Sequence, residues 1–215
     1  RPYPKRCLVF SPEPQDAIVG MGGTMDRLIE QGHDVRLISL TSGSLRVPDS
    51  EAEKFASILL ELGTMEPESW KEQTAYARHI LDVLKQKGEF GEDTAELRKL
   101  KGLILRGELR DAAHALGLPQ EYITFLNLPF YEKGRYRRFQ LAPEDTAEIV
   151  RLLREFMPHQ IYITGEAADP SSVAALCFRA LQLSLDELQS DGWADACSVW
   201  LYRGKEQALE PWEID

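Results

Sequence analysis

Five short runs of β-type residues, each separated from the next by residues at helical spacing, most constrain how this chain folds. The runs are Cys7–Phe10, Val35–Leu40, Tyr122–Leu126, Gln160–Thr164 and Val199–Tyr202. After the first, the stretch from Ala17 to Gln31 places Ile18, Met21, Met25, Leu28 and Ile29 at helical intervals and stops at Gly32, a helix-terminating glycine. Helical patterns also cover 51–62, 68–87, 94–116, 143–156 and 173–188. This alternation predicts an α/β fold, a three-layer sandwich around a mostly parallel sheet of about five strands with right-handed crossovers. A length of 215 residues with 43% hydrophobic content suits one domain spanning 1–215.

In such a sheet, ligands bind where turns leave the carboxyl ends of the strands. The first of these turns is Glu13-Pro14-Gln15-Asp16, followed by the glycine-rich helix start Gly20-Met21-Gly22-Gly23. Glu13, Gln15 and Asp16 are therefore candidate pocket residues; equally, Asp16 or Ser11 can serve only to cap the helix. The glycines disfavour a helix and make sense where backbone passes close to a strand or a ligand. Thr41-Ser42-Gly43-Ser44 and the segment from Gly165 to Ser172 are two further polar turns at strand ends. The basic, aromatic loop Lys133–Arg138 reads as a solvated or interface loop, with phosphate or base contact as the alternative.

Charge and composition remove several classes of function. A formal net charge of -10 argues against nucleic acid and against an anionic membrane as partner, since both require clustered Lys and Arg. No apolar run approaches the roughly 20 residues of a membrane helix. Three cysteines without a CxxC pair indicate reduced, cytoplasmic usage. The start RPYPKR has neither an initiator Met nor a signal sequence, which suggests a piece of a longer chain. His33, His79, His114 and His159 have no metal-ligand spacing and read as surface or capping residues. G-x-G-x-x-G is absent, so no dinucleotide fingerprint is present.

Several motifs in order along nearly the whole chain do carry a resemblance. They are a strand with x-P-x-D, then G-x-G-G-T, then a strand ending in T-S-G, then Arg106-Gly107-Glu108-Leu109, then F-L-N-L-P, then Asp169-Pro170 after a later strand. In these the chain resembles the LmbE/PIG-L-like de-N-acetylases. It is most similar to the LmbE-like domain fused behind the catalytic domain of some bacterial glucosamine-6-phosphate deaminases, through Met21–Thr24, Glu30–His33, 100–104, 128–132, 158–162 and Tyr202-Arg203-Gly204.

The resemblance implies a Rossmann-like fold and a hydrolase whose zinc is held by a His and an Asp of an H-P-D-D turn and by a later His. The second Asp of that turn is the general base. Laid on this chain, the pattern puts Glu13 at the ligand His, Gln15 at the base and Asp16 at the ligand Asp, the one family ligand retained. After Asp169-Pro170, Ser171 stands at a polarising His and Ala174 at the third ligand. Glutamine cannot take a proton from water near neutral pH, and two carboxylates without imidazole make a poor zinc site.

The expectation is a non-catalytic domain without catalytic residues, zinc or another cofactor. Its ligand pocket is expected to comprise Glu13, Gln15, Asp16, Gly22, Ser42, Arg106, Asp169 and Ser171. The partners implied are an amino-sugar phosphate, a covalently linked deaminase domain and a second copy of the chain as homo-oligomer. The alternative is an active metal-dependent de-N-acetylase with an atypical site on Glu13 and Asp16, completed by a distant loop such as that around Glu166.

Overall fold

Strand β1 (Arg6–Ser11) occupies the middle of a sheet because it is apolar on both faces: Cys7, Leu8, Val9 and Phe10 are all fully buried. The computed structural model describes residues 3–88, 91–133, 139–165 and 169–204. Helix α1 (Asp16–Glu30) leads to β2 (Asp34–Ser39), then come α2 (Asp49–Met65), α3 (Lys71–Lys87) and α4 (Ala95–Ala115). Strand β3 (Ile123–Phe125), the short α5 (Pro129–Glu132), α6 (Pro143–Phe156), β4 (Gln160–Thr164), α7 (Val173–Glu187) and β5 (Ser198–Tyr202) complete the order.

The strands lie in the order β3-β2-β1-β4-β5 and every pairing is parallel. This is a doubly wound, Rossmann-like order, with its switch point between β1 and β4. Right-handed crossovers in opposite directions put α1 and α7 on opposite faces. The face carrying Cys7, Val9, Val35 and Leu37 packs on Met21, Met25 and Leu28 of α1 and on Leu109 and Ala113 of α4.

Strand β3 is shorter than the pattern suggests, because Gln120–Tyr122 closes into a 3-10 turn after Pro119. Gly32 ends α1 with φ +79°, the left-handed conformation that glycine adopts without strain. Of the three glycines in α1, only Gly20 is needed for close approach: a Cβ there would lie 2.6 Å from the Arg203 carbonyl oxygen and 2.7 Å from the Tyr202 ring. Gly22 and Gly23 face open space, so the expected crowding does not apply to them. At Met21, between Gly20 and Gly22, the helix kinks (φ -150°, ψ 22°). β5 lies at the sheet's edge, with Trp200 and Leu201 more than half exposed.

The chain divides into two compact units, the first made of residues up to Ser42 and from Glu108 on, the second of Gly43–Gly107. The second has its own core, in which Ala52 and Ala56 of α2 and Ala77 and Ile80 of α3 meet Leu97, Leu100, Ile104 and Leu105 of α4. Its polar counterpart is a closed ring of charges. Lys87 pairs with Asp49 at 2.8 Å and with Asp93, and Lys101 reaches both carboxylates at 2.7 Å. Among the described residues no helix is long and apolar enough to cross a membrane.

Candidate functional site

The turn after β1 is closed by its own side chains. Asp16 Oδ2 accepts the Glu13 N–H at 2.9 Å, and the Asp16 N–H donates to the Glu13 carbonyl at 3.1 Å. The Ser11 hydroxyl donates to the Glu13 carbonyl and accepts the Ala17 N–H at 2.9 Å, so Ser11 caps α1 from before the turn. Of the two readings of this stretch, the cap is what these bonds describe: the helix start is satisfied by Ser11 and the turn, with Glu13 and Asp16 together at the carboxyl end of β1. Ser11, Glu13 and Asp16 are all buried. The end of β2 is tied to the same turn, with the Thr41 N–H and hydroxyl both donating to the Pro12 carbonyl, at 3.0 and 2.7 Å.

Gln15 turns outward. Its side chain is exposed, and Nε2 donates to the Glu108 carboxylate of α4. At the end of β2, the Ser42 N–H and hydroxyl donate to the two carboxylate oxygens of Glu132, at 2.9 and 3.1 Å. Beyond β4, Asp169 Oδ1 accepts the Ser171 hydroxyl at 2.7 Å and its N–H at 2.8 Å. These two bonds hold the Asp169 carboxyl below its ordinary range, the hydroxyl contributing most. Gly22 is half-buried a turn and a half into α1. Arg106 lies on α4 within the second unit and Ser42 within the first. Residues 166–168 and 134–138, which include the loops around Glu166 and most of the basic segment, lie outside the described residues.

Beneath the turn the structure adds two residues that sequence reasoning did not single out. Burial pushes the Cys177 thiol well above its usual range, and the nearby carboxylates of Asp16, Glu13 and Asp145 push it further. Burial likewise raises the Tyr202 phenol, with Asp16 and Cys177 adding to the effect, while its hydroxyl donates to the Phe10 carbonyl at 2.8 Å. Cys177 lies three residues, almost one helical turn, after Ala174. That spacing is the signal that could have placed it under the turn.

A zinc site of the kind the H-P-D-D pattern builds needs imidazole, and neither turn supplies one. The first offers Glu13, Gln15 and Asp16, the second Ser171 and Ala174. Burial and the neighbouring carboxylates disfavour the Cys177 thiolate, the form of cysteine that binds metal. Among the described residues no three His, Cys, Asp or Glu side chains stand where they could hold one metal ion. Among the described residues, the donors at these two turns do not make the imidazole-containing set that the pattern uses for zinc.

The PIG-L family, described as GlcNAc-PI de-N-acetylase, matches residues 8–173. A putative glucosamine-6-phosphate deaminase-like protein of Bacteroides thetaiotaomicron is 36% identical over all of this chain and 32% of its own length. A diacetylchitobiose deacetylase of Thermococcus kodakarensis is 28% identical over 60% of this chain and 53% of its own. The chain thus spans about a third and about half of these two relatives. In three dimensions it is similar to the N,N'-diacetylchitobiose deacetylase of Pyrococcus horikoshii, with TM-score 0.58, 16% identity, and coverage of 95% of this chain and 62% of that one. That likeness bears on the fold. With the family's match covering the sheet from β1 through β4 and both turns at its carboxyl edge, the chain belongs to the PIG-L/LmbE family.

Proposed function

We propose that this chain is a degenerate PIG-L/LmbE domain that keeps the fold but not zinc-dependent hydrolysis. The observation that carries this reading is at Gln15. The residue at the family's base position is an amide, and its nitrogen donates to Glu108. An amide cannot accept the proton of an attacking water, and no imidazole stands in either turn to hold zinc. Asp16, the retained ligand of the pattern, is engaged in closing the turn through the Glu13 N–H. The alternative, an active de-N-acetylase with an atypical metal site, requires the Glu13 and Asp16 carboxylates to hold the metal without imidazole. Acetate release from an N-acetylglucosamine-type amide, followed with and without added zinc, tests the choice. No release above buffer is expected, whereas zinc-stimulated turnover abolished by Asp16→Ala supports the alternative.

A second reading, compatible with the first, is favoured by the names of the relatives. Two are deacetylases of an N-acetylated amino sugar and one is deaminase-like toward an amino-sugar phosphate. We infer that the carboxyl edge of the sheet binds an amino sugar or its phosphate. We also infer that the chain serves as a regulatory or oligomerising partner to a linked deaminase domain. Calorimetry with glucosamine 6-phosphate and N-acetylglucosamine 6-phosphate addresses the binding. Heat with either supports it, and silence with both at millimolar concentration counts against it.

A further inference from the structure

At the end of the sheet opposite the site, the chain's entry into β1 is held by two histidine rings. The His33 Nδ1 accepts the Lys5 N–H at 3.1 Å, and the His159 Nδ1 accepts the Arg6 N–H at 2.9 Å. The main chain repeats both links. The Asp34 N–H donates to the Lys5 carbonyl, the His159 N–H to the Arg6 carbonyl, and the Ser198 N–H to the His159 carbonyl. Each of the two residues is thus bracketed, and His159 connects β1 to the start of β5.

Only a neutral imidazole can accept at Nδ1. The groups facing His159 make its protonation costly here. Arg6 and Lys5 stand beside it, the Arg6 guanidinium being fixed on the Phe156 and Met157 carbonyls at the end of α6, while the Tyr3 ring meets it edge-on. Partial burial, then Arg6 and Lys5, hold its pKa below the ordinary 6.5. The nearest acid on β2, Asp34, is paired with Arg36 at 3.5 Å. His33 is flanked by Lys5 and by the same Asp34.

We propose that His159 is an acid-released latch on the segment leading into β1. A proton taken up at Nδ1 turns the acceptor into a donor, sets a cation against Arg6 and Lys5, and frees the Arg6 N–H. The main-chain bond from the Asp34 N–H to the Lys5 carbonyl then remains as the hold on the same segment. The interior of β1, paired on both sides, stays closed.

Residue-resolved amide exchange by NMR on the whole chain, corrected for intrinsic rates, tests this at about pH 7.5 and about pH 4.5, the lower value taken well under the ordinary histidine pKa because His159 is held below it. The Arg6 amide is expected to lose about tenfold in protection at the lower pH while Val9 keeps its own. In His159→Phe, Arg6 protection is expected to be low at both pH values. The ring nitrogen spectrum is expected to show the Nε2–H tautomer at the higher pH. Arg6 protection that is flat with pH in the native chain, undiminished protection in His159→Phe, or an Nδ1–H tautomer overturns the latch. If His159→Phe does not fold, the native profile and the tautomer decide.

Discussion

The carboxylate of Asp16 and the main chain of Glu13 hold each other, N–H to Oδ2 at 2.9 Å one way and N–H to carbonyl at 3.1 Å the other. The one residue that matches a zinc ligand of the family therefore has a structural reason to stay. Asp16→Ala leaves the buried Glu13 N–H without its carboxylate and is expected to destabilise the fold by about 1–3 kcal/mol. Asp16→Asn keeps an acceptor and is expected to cost less. Urea midpoints for the three proteins check this, and equal midpoints would remove the structural reason.

The glycines of α1 separate by what surrounds them. Gly20→Ala drives a methyl to within 2.7 Å of the Tyr202 ring and 2.6 Å of backbone, with an expected loss of about 1–3 kcal/mol. Gly23→Ala meets open space in a helical stretch and is expected to gain about 0.5–1 kcal/mol. Thermal melts of the two variants should move in opposite directions.

In the second unit, Lys101 and Asp93 are both nearly inaccessible and each has two ionic partners. Lys101→Met leaves buried carboxylate charge uncompensated and is expected to cost about 3–5 kcal/mol. Adding Asp93→Leu to it should recover part of that loss. A double-mutant cycle by chemical denaturation gives the coupling, and strict additivity would show that the ring is not a unit.

The same ring sets a pH window. Burial alone would raise the Asp49 carboxyl, but hydrogen bonds from Lys101 and Lys87 outweigh it and leave it below the ordinary 3.8. Burial alone would lower Lys87, but Asp49 and Asp93 outweigh it and hold it above 10.5. A depressed acid contributes stability that is present above pH 3.8 and lost as pH falls through its folded value. A raised amine contributes stability present below pH 10.5 and lost as pH rises through its folded value. Denaturation midpoints measured against pH should fall at both ends, and in Asp49→Asn the acid-side fall should be shallower.

Much of the fold is legible in the sequence because β1, β2 and β4 are buried on both faces, and burial on both faces writes a continuous apolar run. Pro143–Phe156 and Gln160–Thr164 are read to the residue, since a proline opens one and a polar turn bounds each. The kink at Met21 and the 3-10 turn at Gln120–Tyr122 leave no such trace in the apolar pattern. At the site, residue types show that imidazole and base are missing. The tie from Gln15 to Glu108 spans 93 positions and that from Ser42 to Glu132 spans 90, too far for any local pattern. Cys177 and Tyr202 read as ordinary core residues until the sheet brings them under the turn.

Zinc retention by elemental analysis, after loading with the metal and desalting, tests the central claim most directly. The native chain is compared with a Glu13→His, Ala174→His variant that restores a His-Asp-His set with Asp16. The account predicts no stoichiometric zinc in the native chain and about one ion per chain in the variant, as three protein ligands suffice for a catalytic-type site. Stoichiometric zinc in the native chain would contradict it.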